Sequence, residues 1–174
     1  MKTYIETERL IIRELTYQDI DGMFKLDSNP KVHTYLGNNI IKTKEEAKKN
    51  IDFIKLQYSK NGIGRWAIIE KESGDFIGWT GFKLITNLIN KKSYYYDLGY
   101  RLIQESWGKG YATESAIACL NYGFNKLNKK DIFAMADIEN AASNTILKKI
   151  GMSKINEFNY NNVIHNFYQI TESE

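Results

Sequence analysis

The sequence has little proline, little cysteine and no long apolar run. One proline and one cysteine among 174 residues exclude a proline-rich linker and a disulfide framework. No segment approaches the roughly 20 apolar residues that cross a bilayer. The first residues, MKTYIETERL, lack the apolar core of a signal peptide. We therefore expect a cytoplasmic protein that has no membrane partner.

The chain also lacks an excess of one charge. It carries 24 Lys and Arg against 21 Asp and Glu, a formal net charge of +3, and the basic residues are interspersed with acidic ones. Nucleic-acid-binding proteins usually present a clustered basic face, so no nucleic-acid partner is expected. The length predicts one domain over residues 1–174, and a homodimer is left open.

The most informative segment runs from Tyr94 to Leu127. Alternating apolar and aromatic residues give way, between Gln104 and Gly110, to apolar residues spaced three and four apart. This pattern predicts a strand, a glycine turn and a helix. Unpaired N–H groups and the helix dipole at such a turn form an anion site, to which Lys109 adds a positive charge. Taken alone, the turn fits an ordinary connection between a strand and a helix somewhat better.

Two common phosphate-binding motifs do not fit this turn. A Walker A loop needs Ser or Thr after its lysine, but Gly110 follows Lys109. A dinucleotide fingerprint starting at Gly108 would need a small residue at Thr113 and an acidic residue that ends a strand about twenty residues later. Asp131 lies near that distance but begins a predicted strand. We reject both motifs.

The rest of the chain predicts an α+β fold with a mixed, mostly antiparallel sheet of about seven strands flanked by helices. Thr16 and Thr43 are candidate N-caps of the first two helices, and Asn140 opens the last helix. Strands are expected over residues 9–15, 65–71, 76–85, 94–103 and 131–139, followed by a closing hairpin after residue 152.

Several motifs together resemble the GNAT superfamily of acetyl-CoA-dependent N-acetyltransferases. They are WGKGYATE at residues 107–114 and NAASNTILKKIGM at residues 140–152, together with TERLIIRELTYQDI, GDFIGWTGF and DLGYRLI. More narrowly, the chain resembles the ribosomal-protein N-terminal (Rim-type) acetyltransferases. The resemblance implies a GNAT fold that is splayed between the fourth and fifth predicted strands, and a single N-acetyltransferase domain.

The resemblance also assigns the binding residues for acetyl-CoA, the cosubstrate, and implies no metal. Leu102 and Ile103 would pair through their backbones with the pantetheine arm, Asn140 would contact that arm, and Ser143 would lie near the thioester sulfur. The CoA pyrophosphate would bind the backbone N–H groups of Gly108, Lys109, Gly110, Tyr111, Ala112 and Thr113.

Two catalytic residues are expected. In the family, a tyrosine at the position of Leu147 acts as an acid toward the leaving thiolate. Because leucine cannot donate a proton, Ser143 is the remaining candidate acid. Asp97 is the candidate base, acting through water, ahead of Glu157 and His165. An ion pair with Arg101, two residues along the same strand face, is the competing interpretation of Asp97.

The expected reaction is direct attack of a primary amine on the thioester in a ternary complex. An α-amine with a pKa near 8 is about a tenth neutral at pH 7, whereas a lysine is neutral to only about one part in a few thousand. The α-amine of a protein N-terminus is therefore the favoured acceptor. The alternatives are a small amine, such as a polyamine or an aminoglycoside, and a catalytically weak CoA-binding sensor domain.

Overall fold

The computed structural model describes residues 2–172 and contains one eight-stranded sheet. Its spatial order is β1-β2-β3-β4-β5-β6-β8-β7. All neighbouring strands are antiparallel except β5 and β6, which are parallel. The strands are β1 (Thr3–Glu6), β2 (Leu10–Arg13), β3 (Arg65–Glu70), β4 (Phe76–Ile85), β5 (Tyr95–Leu102), β6 (Asp131–Asp137), β7 (Ser153–Tyr160) and β8 (Val163–Thr171).

Four α-helices accompany the sheet: α1 (Ile20–Asp27), α2 (Lys44–Asn61), α3 (Tyr111–Asn125) and α4 (Ala141–Lys149). Short 3₁₀ turns, Tyr17–Asp19 and Gln104–Ser106, precede α1 and follow β5. The α+β class and the mostly antiparallel sheet are confirmed. The strand count differs by one, because the four residues of β1 are too short a run to be recognised without their partner β2.

Side-chain caps begin the helices where the sequence predicted. Thr16 and Thr43 each form a capping box, with Asp19 and Glu46 respectively. Each box satisfies backbone N–H groups that have no partner inside the helix. At the other end of α2, Gly62 adopts a left-handed conformation with φ of 68°, which glycine takes at little cost.

The two faces of the sheet are covered by different helices. Leu98 and Phe82 pack in one core with Ala116 and Leu120 of α3. A second core contains residues of α1 and α2, including Met23 and Ile51, together with Ala67 of β3. Within the described residues, no helix has the length and apolar character needed to span a membrane.

Neighbouring strands in the middle of the sheet differ in how far they are paired. β4 and β5 are paired at eight positions, from Gly78 with Leu102 to Ile85 with Tyr95. β5 and β6 are paired at one position, Asp97 with Phe133. The parallel contact is therefore confined to the first half of β5, and the later residues of that strand lie outside it.

Candidate functional site

The glycine turn between β5 and α3 exposes a row of backbone N–H groups. Gly108 and Gly110 have left-handed φ angles of 74° and 83°, and Gly110 is the N-cap of α3. Within residues 2–172, no N–H group from Gly108 to Thr113 donates a hydrogen bond to another protein atom. These groups lie at the positive end of the helix dipole, an arrangement that suits an anion.

Arg9, which lies between β1 and β2, holds this turn in place. Its Nη1 donates to the carbonyl of Lys109 at 2.9 Å, and its Nε donates to Glu114 Oε2 at 2.7 Å. The guanidinium also lies 4.5 Å from the ring centroid of Tyr111. Sequence reasoning missed this role because the partners of Arg9 are 100 and 105 residues away. The segment TERL, which contains Arg9, indicates only the family resemblance.

Leu102 and Ile103 end β5, and their backbone groups have different surroundings. The N–H of Ile103 donates to the carbonyl of Ile77 at 3.0 Å, and its carbonyl accepts from the N–H of Ser106 at 3.0 Å. Since successive residues of a strand direct their backbone groups to opposite sides, those of Leu102 face the β6 side. There the Leu102 carbonyl accepts from Trp107 Nε1 at 2.9 Å.

The beginning of α4 brings Asn140, Ser143 and Tyr100 together. Asn140 caps the helix, because its Oδ1 accepts from the N–H of Ser143 at 3.0 Å. The hydroxyl of Tyr100 lies 3.2 Å from both the Oγ and the carbonyl oxygen of Ser143. Two hydroxyl groups therefore meet beside the part of β5 that lies beyond its pairing with β6.

Tyr100 was not among the residues expected in the site. Its contact with α4 depends on how β5 and the distant helix pack, which spacing along the strand does not show. Burial raises the pKa of Tyr100 to about 12, so its hydroxyl stays protonated and can donate. Leu147, at the position of the family tyrosine, is 1% exposed in the core.

Asn144 locks the first turn of α4 onto the end of the sheet. Its Nδ2 donates to the carbonyls of Asp137 and Asn140, each at 2.8 Å. Its Oδ1 accepts from Asn166 Nδ2 and from the Tyr168 hydroxyl, each at 2.7 Å. This amide is buried, so its four hydrogen bonds fix the position of the helix that carries Ser143.

Replacing Asn144 with leucine should therefore destabilise the protein by about 2–4 kcal/mol, because buried polar partners lose their hydrogen bonds. The expected result is a lower midpoint of urea unfolding with an unchanged m-value. The control is Thr145→Ala on the exposed side of the same helix. Equal midpoints for the two variants would contradict the importance of this network.

Asp97 is buried on the sheet face opposite α3 and forms an ion pair with Arg65 of β3. The distance from Asp97 Oδ2 to Arg65 Nη2 is 2.5 Å. Arg65 Nη1 also donates to the carbonyls of Gly81 and Asp97 at 2.5 and 2.7 Å. A Cβ atom on Gly99 would lie 2.7 Å from this guanidinium, so the glycine leaves the space that Arg65 needs. Burial raises the pKa of Asp97, while Arg65 acts in the opposite direction.

The alternative pairing of Asp97 with Arg101 is wrong. Arg101 Nη1 instead lies 2.7 Å from Asp27 Oδ1 of α1, and Arg65 reaches Asp97 from two strands away. Cross-strand and helix contacts of this kind depend on the fold and cannot be inferred from spacing along one strand. The centroid of the Trp79 ring lies 5.3 Å from the guanidinium of Arg65 and 5.0 Å from that of Arg101.

The other candidate bases make their contacts within the closing hairpin. Glu157 Oε1 lies 2.6 Å from Lys154 Nζ, and the His165 ring packs against Phe158 and Tyr160. In the part of the chain that the structure describes, no group of three or more His, Cys, Asp or Glu residues could hold a metal ion.

Comparison with known proteins agrees with this architecture. Residues 9–153 match the acetyltransferase (GNAT) domain. The uncharacterized N-acetyltransferase YoaA of Bacillus subtilis (strain 168) is 34% identical over 151 residues, which cover 86% of this chain and 82% of that protein.

Two solved structures share the fold at low sequence identity. The ribosomal L7/L12 α-N-protein acetyltransferase RimL in complex with coenzyme A is 18% identical, with a TM-score of 0.82 and coverage of 98% of both chains. The spermidine N-acetyltransferase of Vibrio cholerae in complex with CoA and spermine is 18% identical, with a TM-score of 0.76 and coverage of 95% of this chain and 96% of that one. The domain match and the sequence relative extend over most of the chain, which therefore belongs to the GNAT family and is an N-acetyltransferase of that type.

Proposed function

We propose that this enzyme transfers an acetyl group from acetyl-CoA to the α-amine of a protein N-terminus, as a Rim-type enzyme would. The observation that carries the use of acetyl-CoA is the row of free N–H groups from Gly108 to Thr113, beside the end of β5 that is not paired with β6. RimL, which shares the fold, acts on a protein α-amine. The continuous sheet supports a single domain over residues 1–174.

The anion site suits the pyrophosphate of CoA. A diphosphate needs several donors converging at a helix N-terminus, and the free N–H groups of Gly108, Lys109, Gly110, Tyr111, Ala112 and Thr113 meet that requirement. The ammonium of Lys109 adds a positive charge on an exposed side chain. Acetyl-CoA, when bound, supplies the activated acetyl group as a thioester.

The end of β5 suits the pantetheine arm. The single registered pair between β5 and β6 supports the expected splay of these two strands, and the backbone groups of Leu102 face the gap. Ile103 has both backbone groups engaged within the protein, which leaves its side chain as the part that would contact the arm. Asn140 retains its Nδ2 as a donor, because only its Oδ1 caps α4.

Ser143 and Tyr100 would handle the proton of the leaving thiolate. We assign Ser143 as the residue that donates toward the sulfur and Tyr100 as the positioning residue that holds the Ser143 hydroxyl. A tyrosine with a raised pKa is a poor acid but a dependable hydrogen-bond donor. Cys119 is 0% exposed and burial raises its pKa to about 12, so we assign direct attack by the amine rather than an acetylated cysteine.

Asp97 would accept the proton of the attacking amine through water. Burial, which raises its pKa, makes it a better base than an exposed aspartate. Its ion pair with Arg65 opposes this tendency, so the base contributes modestly and an acceptor that is partly neutral at pH 7 has the advantage. This argument favours an α-amine over a lysine side chain.

A small amine is the second candidate acceptor. It is favoured by one observation, the shared fold of the spermidine N-acetyltransferase of Vibrio cholerae. A CoA-binding sensor without significant turnover is the third possibility, since Leu147 occupies the position of the family tyrosine.

Two versions of one peptide test the proposed acceptor. The first has a free α-amine and no lysine, and the second has a blocked α-amine and one lysine. With acetyl-CoA and enzyme, we expect thiol release and a product one acetyl group heavier from the first peptide only. Acetylation of spermidine or of the blocked peptide, with none of the free α-amine, would contradict the proposal.

The two hydroxyl groups can be tested together. Ser143→Ala should lower kcat by about tenfold and Tyr100→Phe by about threefold, because each removes one hydrogen bond near the sulfur. Since Tyr100 acts through Ser143, the double variant should be no slower than Ser143→Ala alone. Additive losses in kcat at saturating acetyl-CoA would assign Tyr100 a separate role.

A further inference from the structure

The sheet face opposite α3 carries a cluster of charged side chains around Trp79. We call the cluster the charged floor and define it by Arg65, Trp79, Lys83, Asp97 and Arg101. Asp97 is paired with Arg65, and Arg101 is paired with Asp27 beneath α1. Each carboxylate near the floor therefore already has a guanidinium partner.

Lys83 is the charged member of the floor that forms no ion pair within the described residues. It lies directly opposite Asp97 in the β4–β5 ladder, yet within the described residues no carboxylate oxygen is within 4.0 Å of its Nζ. Its Nζ lies 5.8 Å from the ring centroid of Phe53 on α2. Arg65, Arg101 and Lys83 are positively charged on this face, whereas only Asp97 and Asp27 are negatively charged. The face therefore has an excess of positive charge.

Four carboxylates that could attract a polycation already have partners. Asp27, Asp97 and Glu157 are in ion pairs. Glu14 accepts a hydrogen bond from the Tyr4 hydroxyl. In addition, Arg101 Nε is buried without a hydrogen-bond partner, so the floor keeps an unused donor.

Under the proposed function, the acceptor would approach across the face of β5 that carries the floor. The anion site is at the N-terminus of α3, on one side of the sheet, so an amine that attacks from the other side of β5 would pass over Asp97 and Arg101. This step rests on the proposed function. A positively charged floor lowers the free energy of a bound acceptor that carries a negative group near its amine. It raises the free energy of a bound polycation.

We infer that the acceptor is a peptide with an acidic residue close to its α-amine, and that Lys83 selects it. The charge is partly screened by water and salt, so the effect is a preference rather than an absolute requirement. Polyamines and aminoglycosides are poor acceptors for the same reason.

Three peptides that differ only at their second residue test this inference. With Asp, Ala or Lys at that position, the enzyme should show kcat/KM values that fall in this order, by at least about threefold per step at low salt. Lys83→Met should flatten the order and Lys83→Glu should reverse it. Lys130→Glu, which makes the same change in net charge before β6, should leave the order as it is.

The outcomes separate this inference from the proposed function. No acetylation of any peptide would overturn both. Acetylation with no preference, or a preference that Lys83→Glu leaves unchanged, would overturn the selective role of Lys83 alone. A preference for Asp that does not decrease at high salt would also contradict the electrostatic origin.

Discussion

Replacing Gly110 with valine is expected to weaken acetyl-CoA binding by on the order of a hundredfold. Gly110 has a φ of 83°, and a β-branched residue takes such a conformation only with strain. The turn would relax and rotate its N–H groups away from the pyrophosphate. Each charge-assisted hydrogen bond lost costs about 1.5–3 kcal/mol, so the loss of one such bond accounts for most of this effect. Isothermal titration with CoA measures it.

Gly62→Val provides a matched control for this variant. Gly62, the C-cap of α2, has a φ of 68°, and a Cβ atom added there would meet nothing within 4 Å. Gly62 precedes β3, whereas Glu70, which accepts a hydrogen bond from the Tyr111 hydroxyl, lies at the other end of that strand. The substitution therefore imposes similar strain away from the anion site. Both variants should lose about 1–2 kcal/mol of stability, but only Gly110→Val should lose affinity for CoA. Equal affinities would show that the turn does not hold the pyrophosphate.

Replacing Arg65 with methionine should produce the largest loss of stability. It leaves the buried carboxylate of Asp97 without its partner, which costs about 3–5 kcal/mol when a buried ion pair is broken on one side. For a chain of this length the melting temperature should fall by roughly 10 °C. Thermal unfolding followed by circular dichroism measures the change.

Two further variants show whether the loss comes from the unpaired charge. Lys44→Met breaks an exposed pair with Asp21, whose side chains are 62% and 78% exposed, and should change stability by no more than about 0.5 kcal/mol. Adding Asp97→Asn to Arg65→Met should recover part of the stability, because the buried charge is then gone. A double variant as unstable as Arg65→Met alone would assign the loss to packing instead.

Local features of the fold could be predicted from the sequence because they depend on residues a few positions apart. The caps at Thr16 and Thr43 require only a partner three residues later. The glycine turn requires two glycines followed by an apolar helical pattern. The apolar stripe of α3 was likewise expected, and Ala116 and Leu120 are buried.

The contacts that complete the candidate site could not be predicted in this way. Tyr100 and Ser143 are 43 residues apart, and Arg65 and Asp97 are 32 apart. Their contacts depend on strand order and helix packing, which spacing along the chain does not encode. Gly99 is one residue in the sequence that reflects such a contact, because it lies where the guanidinium of Arg65 crosses β5. This glycine can be interpreted only once the pairing of the strands is known.

The most direct test of the account follows a labelled acetyl group from acetyl-CoA to an amine. The acceptors are the free α-amine peptide, its blocked counterpart and spermidine, and the enzymes are the natural protein, Gly110→Val and Gly62→Val. We predict label in the free α-amine peptide with the natural protein and with Gly62→Val, and little label with Gly110→Val at an acetyl-CoA concentration well below its Kd for that variant. Binding of CoA by the natural protein with no label in any acceptor would contradict the account.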